Sequence, residues 1–450
     1  RPRSPFINHV DLEAMLRVHG ALLALISCSL ADLASADEPP GDKVGLKLLR
    51  VTSEESAHRE RVTSLAFSPD GKTLLSGSHD KSIAAWDAAP EDAQEGPHVL
   101  LRAGHGAGRL ERIARAQGAH VEEGELPGVS SVAFAPDGKA VISTGVDRSI
   151  ALRDAVTLQL IKKRDNAHDY RPDGSGKVTS IHISPDGKHI VSAGSQDLKI
   201  WDAATLEPRA ERLGAHKLSF GISCPAAQFS PDGSMIASAG VDGSIKVWRA
   251  GSCEPQDESC RARWFSLELA AEQQKAHSDT VRSIHFSADS KRIVSGSDDK
   301  SIAVWDAATL QLIAKKPGAH KDMIWSVGFS PDGTMIVTGG WDKAVKVWSS
   351  ALELIAEEAD AHGGPVLSAA FSPDGATIAS AGAGCDKLWG SAYIKVWDAG
   401  ALAGAPACVA AAAKDEAASA ENQAKAGGSE TAKPKAEESE KAKVEEKEEL

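Results

Sequence analysis

Seven histidines that each follow an alanine are the first residues in the chain whose type and recurrence could do chemistry: His58, His120, His168, His216, His277, His320 and His362. Imidazole is the side chain of metal sites and of general acid–base catalysis, so both readings open at once. Neither is supported by what surrounds these residues. The chain has no G-x-S-x-G, no H-E-x-x-H and no phosphate-cradling glycine loop, and no carboxylate cluster beyond aspartates in turn-like sequence. Six cysteines in 450 residues are too few for a disulfide-built scaffold. Cys253 and Cys260 are close enough in sequence to pair in an oxidising compartment; otherwise they are surface thiols.

The elements that would have to position these histidines emerge from a repeat. The string FSPDG or a near copy begins at Phe67, Phe134, Ile183, Phe229, Phe286, Phe329 and Phe371, at spacings of 42 to 67 residues. A unit of about 42 with insertions accounts for the series, and a period in that range marks a repeat architecture. A Trp follows each copy except the second: Trp86, Trp201, Trp248, Trp305, Trp348 and Trp397, with Arg153 in the second place. Within a unit the pattern is one of short strands. VTSLAF (62–67), KTLLSGS (72–78) and SIAAW (82–86) are separated by Ser-Pro-Asp-Gly and His-Asp turns. TLQLIAK (309–315) represents a fourth, outer strand. Four-stranded units cannot bury both faces alone, so they must stack, and seven of them arranged radially close a propeller.

The Ala-His, the SPDG turn, the Ser-Gly-Ser-x-Asp and the Trp-Asp ending resemble the WD-repeat β-propeller family. Trp-Asp itself stands at 86–87, 201–202, 305–306 and 397–398, and drifts to Trp248-Arg249, Trp348-Ser349 and Arg153-Asp154. The expected fold is all-β: a seven-bladed β-propeller of four-stranded antiparallel blades spanning 44–402. VGLKLLRV (44–51) is expected to complete the last blade and close the ring. The resemblance implies that each histidine bonds inside its own blade, to a turn Asp, a strand Ser/Thr and the Trp. In the first blade the set is His58, Asp80, Ser76 and Trp86; in the sixth it is His320, Asp342, Thr338 and Trp348. One histidine per blade also places them around a ring, too far apart to share a zinc with ligand distances near ~2 Å. No metal and no cofactor is expected. Three blades depart from the pattern. The second lacks the Trp, the third is one residue short between Ser192 and Trp201 and so displaces Asp197, and the seventh carries GAGCDKLWGSAY between Ser380 and Trp397.

The segments outside the repeat carry their own expectations. Residues 88–128 hold GRLERIARAQ (108–117), expected as a short helix, and 403–450 is an Ala-rich, then Lys/Glu-rich tail expected to be disordered. Residues 1–36 form an N-terminal extension. From Met15, an apolar stretch (20–30) and Ala34-Ser35-Ala36 resemble a secretory signal peptide, and the chain ends in KEEL, one conservative change from an endoplasmic-reticulum retention signal. Together they point to the secretory pathway, against a cytoplasmic setting as the alternative. No other stretch is long and apolar enough to span a bilayer.

A net charge of −13 argues against nucleic acid as partner. The resemblance implies a non-catalytic scaffold, a monomeric propeller within a complex, that binds protein or peptide partners on the loop face. The alternatives are a propeller-based enzyme and a regulatory β-subunit-like partner of a helical protein. On that face Trp341 precedes Asp342 where other blades carry His79, Val146, Val241 or Asp298. Trp325 stands where others carry Thr63, Arg282 or Leu367. Neither Trp is required by the repeat, so both are candidate partner anchors, with Arg59, Arg148, Tyr170 and Arg282 as candidate neighbours.

Overall fold

A computed structural model of the chain describes residues 45–53, 58–89, 108–121, 128–168, 177–194, 197–217, 226–252, 265–384, 392–400 and 402. The signal-like segment, the charged tail, Tyr170, the Cys253–Cys260 pair and most of the seventh-blade insertion lie outside these residues.

The described chain is all β. Strand β1 (Leu48–Val51) precedes the first repeat, whose strands are β2 (Val62–Phe67), β3 (Thr73–Ser78), β4 (Ile83–Asp87), β5 (Gly108–Arg109) and β6 (Arg112–Ala116). The strands sort into seven sheets, antiparallel except for the β1–β5 pair, each running from an inner strand that ends at the SPDG turn to an outer one. The first six blades have four strands each, as expected. The turn that ends each inner strand is self-locking: Ser68 Oγ donates to Asp70 Oδ1 at 2.6 Å, Lys72 N donates to the same oxygen, and Gly71 takes a positive φ of 72° that favours glycine.

The core lies between blades. Seven apolar clusters fill the seven gaps of the ring, each drawing on two neighbouring sheets. Trp86, Val62 and Leu74 of the first blade, for example, pack against Ala379, Ile394 and Val396 of the seventh. Alternating strand residues therefore face a partner sheet on both sides, which explains the nearly unbroken burial of the second and third strands. Gly77 shows the fit: a Cβ there would sit 2.6 Å from Val129 Cγ1 of the next blade.

Closure is by the N-terminal strand, with one strand more than expected. β1 pairs antiparallel with the third strand of the last blade, Leu48 opposite Trp397 and Val51 opposite Lys395. β5 then adds to β1 in parallel, Arg50 opposite Gly108, so the seventh blade has five strands. Arg50 on β1 is buried and reaches into the first blade, donating from Nη1 to Ala89 O and from Nη2 to Ala88 O, both at 2.8 Å. One strand thus completes the last blade and clasps the first.

The helix expected over 108–117 is not formed. GRLERIARAQ makes β5 and β6, and β6 is the outer strand of the first blade, with Ile83 opposite Ala116 and Trp86 opposite Arg112. Arg and Ala favour helix in isolation, but β4 has an open edge and Leu110, Ala114 and Ala116 have apolar neighbours to pack against. Tertiary context outweighs a propensity difference of a few tenths of a kcal/mol per residue. As a strand, the segment also brings Arg115 Nη2 to 2.7 Å from Asp80.

Candidate partner-binding face on the sixth blade

The recurring histidines are accounted for inside the blades. His58 Nδ1 lies 3.0 Å from Asp80 Oδ2 and its Nε2 2.7 Å from Ser76 Oγ, which also accepts from Trp86 Nε1 at 2.8 Å. The sixth blade repeats this, with His320 to Asp342 at 2.9 Å, His320 to Thr338 at 2.7 Å, and Trp348 Nε1 to Thr338 at 2.9 Å. The fifth blade does the same with His277, Asp299, Ser295 and Trp305. A serine on Nε2 and a carboxylate on Nδ1 is the arrangement of a nucleophilic triad. Here Ser76 is fully buried and its oxygen already accepts an indole proton, so no substrate can reach it.

Electrostatics agree with a structural role. Burial pushes the His58 pKa down against the raising effect of Asp80, so the ring is neutral and can donate from Nδ1 while accepting at Nε2. Burial alone would raise Asp80, but hydrogen bonds from His58, Ser82 and the Arg59 amide hold its carboxyl well below the usual carboxylate range.

The departing blades behave as their sequences imply. In the second, His120 keeps Asp147 at 2.8 Å and Ser143 at 2.9 Å, while buried Arg153 stands in the Trp position with only its Nη1 bonded, to Leu158 O at 3.1 Å, and its Nε without a partner among the described residues. In the third, His168 bonds Ser192 at 2.7 Å, but its Nδ1 finds no acceptor among the described residues.

Outside these sets, in the fifth and sixth blades the inner strand's second residue meets the residue before the turn aspartate. In the fifth blade that pair is ionic: Arg282 Nε donates to Asp298 Oδ1 at 2.9 Å and Nη2 lies 2.6 Å from Oδ2. In the sixth it is Trp325 and Trp341, with ring centroids 5.3 Å apart and planes inclined by 40°. Arg282 joins the two blades, its guanidinium lying 4.9 Å from the centre of the Trp325 ring. The result is a row, Asp298, Arg282, Trp325 and Trp341, across two neighbouring blades. Aromatic pairing contributes about 0.5–1.5 kcal/mol and a cation over an aromatic face about 0.5–2 kcal/mol, enough to hold the row in one arrangement. Trp325 Nε1 has no hydrogen-bond partner among the described residues, so stacking alone orients that ring. Trp341 at the end of the row is 36% exposed, as is Met323 beside it, whose carbonyl accepts from Trp341 N at 2.8 Å.

Three of the six candidates are therefore together. Arg59 and Arg148 belong to the first and second blades, separated from the sixth by the seventh; equivalent places in a repeat lie around a ring, not side by side. Arg59 is exposed with its amide on Asp80, and Arg148 is half-buried in its turn at a φ of 60°. Met323 was not marked by the repeat, since nothing in one copy's sequence says which flanking residue the turn will bring beside it.

The comparisons with known proteins agree with this architecture. A family profile described as "WD domain, G-beta repeat" matches residues 49–87, 119–154, 166–202, 209–249, 271–306, 312–349 and 356–398, one stretch for each blade. The WD repeat-containing protein WDS homolog of Arabidopsis thaliana is 26% identical over 309 residues, covering 66% of this chain and 49% of that protein. The nuclear distribution protein nudF of Emericella nidulans is 26% identical over 66% of this chain and 69% of its own length. The human serine-threonine kinase receptor-associated protein is 27% identical over 43% of this chain and 56% of its own. The chain spans about half the length of the Arabidopsis relative. With a profile match in all seven blades and the His, Asp, Ser/Thr and Trp sets in place, the chain belongs to the WD-repeat family.

Proposed function

We propose that the protein is a non-catalytic interaction scaffold whose sixth blade presents the partner-binding face. The family is generally non-catalytic, and one relative is itself described as associated with a receptor. The observation that carries the reading is Trp341: a large aromatic, more than a third exposed, braced by Trp325 and Arg282, and required by none of the blade's own bonds. A preorganised aromatic beside an exposed Met is what a protein or peptide anchor looks like before binding. The acidic chain makes a protein or peptide a better partner than a nucleic acid.

The test is affinity capture from the native source with the wild type, Trp341→Ala and the Trp325→Ala/Trp341→Ala double variant, beside melting curves of each. Partners retained by the wild type and lost from Trp341→Ala, with melting shifted by no more than about 2 °C, are the expected result. Unchanged partners would move the binding face elsewhere. Mass spectrometry of the same sample reads the mature N-terminus: a start at Asp37 places the protein in the secretory pathway, and a start upstream favours the cytoplasmic alternative.

A further inference from the structure

The inner strands line a central cavity of about 640 Å³ whose mouth is formed by the SPDG turns. Among the described residues its lining contains no Asp, Glu, Lys or Arg, and His182 and His285 are the only titratable groups in it. Six exposed prolines, Pro69, Pro136, Pro185, Pro231, Pro331 and Pro373, line the cavity at the turns, so entry is through an apolar collar.

The polar groups inside are concentrated on one side. At the next-to-last position of the inner strand four blades carry only Ala66, Ala133, Gly328 and Ala370, but the adjacent third, fourth and fifth blades carry His182, Gln228 and His285. Each of these three has its acceptor occupied by a backbone amide of the next blade. Phe229 N donates to His182 Nδ1 at 3.3 Å, Phe286 N to Gln228 Oε1 at 3.1 Å, and Phe329 N to His285 Nδ1 at 3.2 Å. With Nδ1 accepting, a neutral imidazole carries its proton on Nε2, and an amide whose oxygen accepts is left with its NH₂. His182 Nε2 and Gln228 Nε2 lie 3.4 Å apart, two donors that cannot satisfy one another. The described contacts of the His285 ring engage its Nδ1 and leave its Nε2–H for the cavity. The serines are already engaged: Ser283 Oγ accepts from Val327 N, Ser326 Oγ from Ala369 N and Ser368 Oγ from Leu65 N. Three neighbouring blades therefore turn N–H donors toward one apolar cavity that offers no carboxylate to receive them.

We propose that this cavity binds a carboxylate carried on an apolar body, the carboxylate held by His182 Nε2–H, the Gln228 amide and His285 Nε2–H, and the body packed within the proline collar. The carboxylate belongs either to a small organic acid or to the C-terminus of an apolar peptide. Burial holds both imidazoles down at about 4, with His285 further lowering His182, so both are neutral when the cavity is empty. With each Nδ1 accepting from a backbone amide, an added proton would face that N–H, so the rings hold the anion as neutral Nε2–H donors.

Hexanoate is the probe for the free acid, with hexylammonium and hexan-1-ol as controls of equal length. An acetylated apolar pentapeptide with a free C-terminus, compared with its C-terminal amide, probes the peptide source. Calorimetry on the full chain measures affinity, and nitrogen-detected NMR follows the two imidazoles. The expected result is that a carboxylate probe binds at least about tenfold more tightly than its uncharged or cationic counterpart. Whichever carboxylate does so identifies the source. Gln228→Glu keeps an acceptor for Phe286 N but adds a negative charge between the rings, and is expected to abolish binding while raising both histidine pKa values. His182→Ala/His285→Ala installs the residue that three other blades carry there, and is expected to lose binding as well. Equal affinity for charged and uncharged probes, no binding of either carboxylate, or full affinity in Gln228→Glu would overturn the proposal; the last variant decides the matter should the double alanine variant not fold.

Discussion

Ser76 shows how residues that look reactive become structural. Its hydroxyl joins an imidazole to an indole in a fully buried place, and the same three-way contact recurs through Ser192, Ser238, Ser295, Thr338 and Ser380. Ser76→Ala leaves His58 Nε2 and Trp86 Nε1 buried without partners and is expected to cost about 2–3 kcal/mol, measured by urea unfolding. The second blade offers the converse. Arg153 buries a guanidinium nitrogen without a partner among the described residues, and Ser143 lacks the indole its counterparts receive. Arg153→Trp is expected to stabilise the protein by about 1 kcal/mol, and a lowered midpoint would show that the site has adapted around the arginine. Trp341, in contrast, is expected to tolerate alanine with melting nearly unchanged, since a third of its surface already faces water and no blade bond depends on it.

Among the elements, β1 matters more than its four residues suggest. It pairs with the last blade, accepts β5 as a further strand and carries Arg50 into the first blade's carbonyls. Removing 45–51 opens a sheet edge and the seam of the ring together, so the melting temperature is expected to fall far more than on removal of the tail 403–450. Arg50→Met tests the clasp alone, with an expected loss of about 2 kcal/mol because the charged hydrogen bonds go while the stem remains. The inner three strands of the blades were legible in sequence, because the SPDG turn and, in six of the seven, the Trp mark both ends and alternation fills the space between. β6 was not. Arg112–Ala116 has helix-favouring composition, and only the open edge of β4 makes it a strand.

For the whole molecule the buried histidines set the response to acid. Burial lowers His168 and His362 to about 3 and His182 and His285 to about 4, all below the ordinary 6.5. A group whose folded value is depressed in this way favours the folded state fully above the ordinary value and progressively less as the pH falls beneath it. The turn aspartates act lower down. Burial would raise Asp147, but His120 and Ser149 bring it to about 2, and Asp299 is held down in the same way by His277 and Ser301, so their contribution is lost only below the ordinary 3.8. Melting temperature is expected to be flat above about pH 7, to decline from about pH 6.5 and to fall more steeply below about pH 4. The His182→Ala/His285→Ala variant should soften the first decline; an unchanged profile would show that these two rings do not contribute to it.

The sequence by itself determined the ring: seven in-phase copies of a turn, a strand pattern and a buried Trp leave stacking as the way to bury both faces of each sheet, and the strand before the first copy has one blade to complete. Those signals are local, repeated and tied to residue type, so they can be read without coordinates. What only the tertiary structure decided is which residues from different copies meet. The repeat could not show that Arg282 of one blade lies on Trp325 of the next, that Arg115 reaches Asp80, or that His182, Gln228 and His285 share one side of a cavity. Such meetings depend on the distance between chain segments remote in sequence, and that distance exists only once the blades have packed.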